Sequence, residues 1–187
     1  MKLYAKIENQ ELKTVSVGLG TDAAFYESIG MELMDVEQSE VDGQWYLAEN
    51  CPHYTDAEKL ANAKTEKLAA FSTYANRFDQ YKCNEMYVIS SIGGYKFNAD
   101  IRSQTNMQGL IDVMTDDTTL YKDYDNEFRT MTKSDLVTLK EECLKNGQNL
   151  YQQKWHMQNK INACKTVDEL NAIEIKFEML DFTTKAS

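Results

Sequence analysis

The chain has 187 residues, with 20 basic and 30 acidic side chains and a formal net charge of −10 at pH 7. At roughly 150 residues per domain this predicts one domain or two small ones, and 42% apolar and 11% aromatic content excludes wholesale disorder. The acidic balance argues against a protein that tracks nucleic-acid phosphates; the lone proline, Pro52, and only eight glycines exclude a collagen-like or proline-rich fibre and favour long helices.

Residues 1–50 read as a small β-rich module. Leu3, Ala5 and Ile7 alternate with Tyr4 and Lys6, as a half-buried strand requires, and Val15 and Val17 flank Ser16 in a second short run. Gly18-Leu19-Gly20 breaks that run. Thr21 or Asp22 is placed to cap a short helix over Ala23–Ile29, ended by Gly30. Met34 and Val36 alternate with acids as a third strand, and Asp42-Gly43 is a hairpin signal before the returning strand Gln44–Leu47. Fifty residues bury little surface alone, so a neighbouring helix or a second copy of the chain is expected beside this module.

A connecting segment, residues 51–82, follows and carries a helix over Asp56–Tyr81, with Thr55 as N-cap and Glu58 completing a capping box. Its stripe is Ala57, Ala61, Lys64, Leu68, Phe71, Ala75 and Phe78, a repeat of about 3.5 residues with one polar interruption, the spacing of either a coiled-coil seam or one face of a globular helix. The whole span is roughly 39 Å at about 1.5 Å per residue.

Residues 83–175 read as a mainly helical domain with short hairpins. Met86–Ile92 is apolar and β-branched, and Gly93-Gly94 turns it back into Tyr95-Lys96-Phe97, with Tyr95 and Phe97 on one face. A short helix over Ile101–Met114 buries Met107, Leu110, Ile111 and Met114. Leu120–Met131 folds as a second hairpin around Asp125-Asn126. The last long helix is capped by Thr132 with Asp135 at the third helical position. Its seam is Leu136, Leu139, Cys143, Gly147, Leu150, Lys154, Met157, Ile161 and Cys164, again near a repeat of about 3.5 residues. Gly147 costs about 1 kcal/mol against alanine and is expected to admit a close neighbour. Thr166 and Glu169 form a further capping box before Leu170 and Ile173, and residues 176–187 are expected to be a loose tail.

The N-terminus lacks the apolar run of a secretory signal, and no window approaches about 18 apolar residues, so a chain made in a cytosol without membrane insertion is expected. None of Cys51, Cys83, Cys143 and Cys164 forms a CxxC pair. Reduced thiols are expected, and Cys51 with His53 is too small a set to hold a metal. His156 has no partner at a useful spacing for general-base work, and His53 reads as a loop residue. Glu141 and Glu142 are adjacent on a helix and point to different faces, so they do not straddle one bond. Asp116–Thr119 reads as a turn. Gly18-x-Gly20 and Gly93-Gly94 lack a third glycine or a Walker lysine, which excludes phosphate loops. The acids are interspersed with lysines and read as a solvated surface. No catalytic, metal or cofactor-binding residue is assigned.

Several segments resemble a known family. Gly94–Asp100, Arg102–Leu110 and Ala163–Ile173, with the long helix bearing Trp155 between them, are similar to a helical domain of unknown function in bacteriophage and prophage tail-fibre-associated proteins. Val15–Met31 and Gly43–Leu47 resemble the opening of phage tail proteins that carry the domain. Relatives usually follow the Trp-Tyr-Leu strand with a proline-rich connector, whereas Cys51-Pro52-His53 holds the only proline here, which implies a more rigid coupling of the modules. The family offers no catalytic residues to transfer. The resemblance implies a non-enzymatic virion tail component, present in the bacterial host cytoplasm during assembly, or alternatively a tail-fibre assembly chaperone that binds the fibre tip.

The resulting expectation is an α+β fold that attaches proteins to one another. Partners would be copies of itself, with a trimer as the order usual in fibres, and a tail-fibre or baseplate protein. Leu68, Phe71, Phe78, Leu150, Met157 and Ile161, the larger apolar members of the two seams, are the expected interface. A wall-degrading hydrolase would need converging acids or a metal cluster that the sequence does not display; an inhibitor of a host factor, acting through the acidic surface, is the remaining alternative.

Overall fold

The computed structural model describes residues 1–78 and 85–184. It is a mixed α+β chain that divides into two compact units, Met1–Ala61 and Asn62–Ser187. The division falls inside the long connecting helix rather than at the expected boundaries near residues 50 and 82.

In the first unit, β1 (Lys2–Asn9) and β2 (Thr14–Gly18) form an antiparallel hairpin with Ala5 opposite Val17 and Ile7 opposite Val15. Asn9 shapes the turn, its Oδ1 accepting the Glu11 and Leu12 N–H groups at 2.8 and 3.0 Å. Helix α1 (Ala23–Ser28) is capped by Asp22, whose side chain accepts from the Phe25 N–H, and Gly30 follows at φ +77°. Strand β3 (Glu32–Gln38) pairs with the free edge of β1, and β4 (Trp45–Leu47) pairs with β3 through the Asp42-Gly43 turn. Thr14 opposite Tyr46 joins β2 to β4 and closes the four strands into a barrel. Closure leaves no strand edge unpaired in the ring. The interior of so small a barrel takes small side chains: Ala5, Val15 and Val36 fill it, while Leu3 and Ile7 are half-buried.

Gly18-Leu19-Gly20 has a packing explanation. A Cβ at Gly18 would lie 2.4 Å from the Tyr26 ring, and the Gly20 N–H donates to Tyr26 Oη at 2.8 Å. The glycines seat an aromatic ring from α1.

Helix α2 (Asp56–Asn76) opens with the expected capping box: Glu58 N–H donates to Thr55 Oγ1 at 3.2 Å, and Thr55 N–H donates to Glu58 Oε2 at 2.8 Å. It ends five residues before Tyr81, and 79–82 of the expected connector lie outside the described residues. Ala57 and Ala61, the N-terminal members of its stripe, are exposed, whereas Phe71, Ala75 and Phe78 are buried.

The second unit contains β5 (Tyr87–Ile89) with β6 (Lys96–Asn98), α3 (Ile101–Val113), β7 (Thr118–Lys122) with β8 (Phe128–Thr132), α4 (Lys133–Ala163) and α5 (Val167–Asn171). Gly93 and Gly94, at φ +65° and +70°, supply the left-handed turn between β5 and β6. Thr118 and Thr119 begin β7, so only Asp116-Asp117 remains of the predicted turn. The Thr132–Asp135 capping box is present in full. At α5 it is half present: Thr166 caps Glu169 N–H, but the Glu169 carboxylate accepts from Lys165 N–H. Phe97, Met107, Met131, Leu136, Leu139, Cys143, Leu150, Ile161 and Leu170 form one continuous core.

The tail is not loose through Thr184. Phe177 is buried in a ring cluster with Phe71, Tyr74 and Phe78, at centroid distances of 6.3, 5.4 and 5.5 Å. Polar side chains of α4 hold the neighbouring backbone. Asn146 Oδ1 accepts Leu180 N–H at 2.8 Å, and Gln153 bonds both the N–H and the carbonyl of Glu178 at 2.8 Å. Asp181 bridges to Ile89 beside β5. Ile173, Ile175, Phe177 and Met179, alternating with exposed residues, also pack on the core, and the side-chain-to-backbone bonds hold the backbone between them.

Candidate functional site

The polar positions of the two predicted seams reveal how the helices meet. Lys64, the interruption in the α2 stripe, donates from Nζ to the Asn162 carbonyl at 2.8 Å. Lys154, the interruption in the α4 seam, donates to the Phe78 carbonyl at 3.0 Å. Residue 64 thus reaches 162 and residue 78 is reached from 154, so the two segments run in opposite directions and are tied by lysine side chains, while the helix packed directly on α4 is α3. Lys64 places a charge on carbonyls at the end of α4, where the helix dipole favours it.

The expected interface residues belong to the second unit's own core. Phe71, Phe78, Leu150 and Ile161 are buried in the core of the second unit, and Leu68 and Met157 are half-buried and packed against it. Packed into their own subunit, Phe71, Phe78, Leu150 and Ile161 leave a partner little surface. Gly147 admits no close neighbour either, since a Cβ there would meet nothing within 4 Å. It borders an open groove of about 590 Å³ between the helices, floored by Phe71, Ala75 and Leu150 and rimmed by Tyr151 and Trp155.

A different face of α4 carries the exposed apolar surface. Val137, Leu144, Tyr151 and Trp155 are 41%, 53%, 64% and 63% exposed. At about 100° per residue they fall within about 40° of one another around the helix axis, and at about 1.5 Å per residue they extend roughly 27 Å along it. Tyr151 and Trp155 lie ring against ring at 6.0 Å. Tyrosine and tryptophan present large area at small entropic cost, as interface anchors do. The stripe was legible as a second 7-7-4 spacing in the same helix, but it is overshadowed in sequence by the richer core seam.

The groups weighed for chemistry have structural employment. Glu141 is exposed and Glu142 buried, as adjacent helical positions require. Glu142 accepts from Ser90 Oγ at 2.6 Å, Ser91 Oγ at 2.6 Å and Ser91 N–H at 3.1 Å, and so ties the β5–β6 turn to α4. Buried Asp123 accepts from Asp125 N–H, Glu127 N–H and Arg129, whose guanidinium also lies over the Tyr95 ring. Burial alone would raise the Asp123 pKa; the hydrogen bonds from Glu127 and Arg129 outweigh it and hold the carboxyl below its ordinary value. Lys96 is sandwiched between Tyr87 and Tyr124, 3.8 and 3.7 Å from their ring centres. Burial pushes the Cys143 thiol up to about 12, away from nucleophilic use. His156 is exposed on α4.

Cys51 and His53, a pair too small for a metal in sequence, acquire a third donor. Strand β3 brings Glu37 to them, and one ligand atom from each residue lies within 4.8 Å of the other two. No helix among the described residues is long and apolar enough to cross a membrane.

Comparison with curated proteins and with solved structures finds no match. A family profile described as "Domain of unknown function (DUF4376)" matches residues 62–177, more than half of the chain and starting where the second compact unit starts. The chain, whose antiparallel helices and intervening hairpins fill that span, belongs to the DUF4376 family.

Proposed function

We propose that this protein is a non-enzymatic component of a bacteriophage tail that attaches a tail-fibre or baseplate protein through the exposed face of α4. The phage assignment draws on the resemblance of 94–110 and 163–173 to tail-fibre-associated proteins. The observation that carries the attachment reading is the aligned, solvent-facing Val137–Leu144–Tyr151–Trp155 stripe, an apolar face set about 110° around the helix from the seam that already has its core. The buried acids Glu142 and Asp123 have their oxygens engaged by hydrogen bonds, which favours attachment over hydrolysis.

The experiment is co-purification of the full chain with each protein encoded beside it, followed by light scattering. A complex is expected with a fibre or baseplate protein. Tyr151→Ala with Trp155→Ala weakens it by about 2 kcal/mol or more, roughly 30-fold. A chain that stays monomeric alone and with every neighbouring tail protein overturns the proposal. Mass spectrometry of purified particles separates a fixed-stoichiometry tail component from an assembly chaperone, which leaves before the particle is complete.

A further inference from the structure

A metal site is assembled in the first unit from residues far apart in sequence. Glu37 lies on β3 next to Val36, which points into the barrel with 0% exposure. After β4 a short 3-10 turn, Ala48–Asn50, returns the chain over β3 and delivers Cys51-Pro52-His53. This connector is fixed: Ser39, itself 2% exposed, donates from Oγ to the Pro52 carbonyl at 3.0 Å, and proline restricts the backbone between the two donors. The Cys51 thiol is 9% exposed and has only a weak contact of 3.8 Å to the neighbouring Pro52 carbonyl.

The spacing suits an ion better than a direct bond. His53 Nε2 and Glu37 Oε2 are 3.9 Å apart, too far for a hydrogen bond. Two ligands of one tetrahedral zinc stand about 3.4 Å apart, given metal–ligand bonds of about 2.0–2.3 Å. Half-exposed Glu37 and His53 need only small side-chain rotations to close the remaining distance. Two further carboxylates stand nearby without competing as ligands. Glu40 is engaged by Lys59 at 3.1 Å and by Tyr54 N–H, and Asp42 by Tyr46 Oη at 2.7 Å and by Gln44 N–H. They supply negative potential around the triad.

We propose that Cys51 Sγ, the His53 imidazole and the Glu37 carboxylate bind a zinc-class divalent transition-metal ion, with water in the fourth position. Thiolate and imidazole select zinc over magnesium or calcium, which require all-oxygen sets. The ion would tie β3 to the connector and so brace the barrel from outside.

The test is titration of chelator-treated full-length protein with cobalt(II), which reports a cysteine ligand as a thiolate-to-metal charge-transfer band, followed by displacement with zinc. One equivalent is expected to bind. The band disappears in Cys51→Ser, and the cobalt midpoint rises at least about tenfold in His53→Ala and in Glu37→Gln. The last two replace half-exposed side chains, and their far-UV circular dichroism should match the wild type. Zinc should raise the thermal midpoint of the wild type by binding only the folded state, and should raise that of His53→Ala less. Absence of the band at millimolar cobalt, its survival in Cys51→Ser, or indifference to both His53→Ala and Glu37→Gln overturns the proposal.

Discussion

Glu142 offers the sharpest test of how the second unit is held together. Its carboxylate is 4% exposed and accepts three hydrogen bonds, two from serine hydroxyls and one from the Ser91 backbone. Ser90 Oγ also accepts from Ile92 N–H at 3.1 Å, so the turn is built around this one acid. Glu142→Gln preserves the shape and one oxygen, which continues to serve Ser91. Its amide nitrogen then faces Ser90, whose hydroxyl hydrogen must turn away and loses its acceptor. One charge-assisted bond is lost and the others weaken, a cost of about 2 kcal/mol. Glu142→Ala strands all three donors and opens space in the core, raising the cost to about 3–5 kcal/mol. Against a total stability of about 5–15 kcal/mol, the first variant folds and the second is marginal. Urea unfolding followed by far-UV circular dichroism measures both. A Gln variant within about 0.5 kcal/mol of wild type, or an Ala variant no worse than Gln, refutes the claim that the carboxylate organises the turn.

Two further outcomes follow from the same geometry. Leu150→Ala removes a side chain that is 2% exposed and should cost about 2–5 kcal/mol of stability, whereas Trp155→Ala should stay within about 0.5 kcal/mol; equal melting temperatures would mean that Leu150 is not core. Asp123 is held below its ordinary value of 3.8, so it contributes stability that is complete above that value and is lost as the pH falls through its lower folded value. Asp123→Asn should therefore lower the urea midpoint at pH 7 and show a smaller drop than wild type between pH 5 and pH 3; equal drops would refute the assignment.

Local signals carried much of the fold. The caps at Asp22, Thr55, Thr132 and Thr166 and the turns at Asp42-Gly43, Gly93-Gly94 and Asn126 each depend on two or three neighbouring residues, and sequence displays such signals directly. Closure of the barrel was hidden because it rests on one pairing, Thr14 with Tyr46, across 32 positions. The ordered C-terminal segment was half visible: Ile173, Ile175, Phe177 and Met179 alternate with polar residues, but its polar anchors, Asn146 and Gln153, sit on another element and read as ordinary polar helix residues. The metal donors were half visible: Cys51 and His53 are neighbours, but Glu37 arrives only through strand pairing.

The two seams show that periodicity locates a helix without saying what packs on it. A repeat near 3.5 residues states that a helix packs along a partner helix; it does not state whose. Here the partner lies within the chain, and the lysine interruptions are the marker. In an interface between subunits, Lys64 and Lys154 would be buried charges facing another apolar stripe, an arrangement that costs several kcal/mol. Within this unit each instead reaches a backbone carbonyl of the opposing segment, at Asn162 and Phe78, and a charged donor on a carbonyl favours the pairing. With its core face occupied, α4 keeps a second, solvent-facing apolar stripe, the one bearing Tyr151 and Trp155.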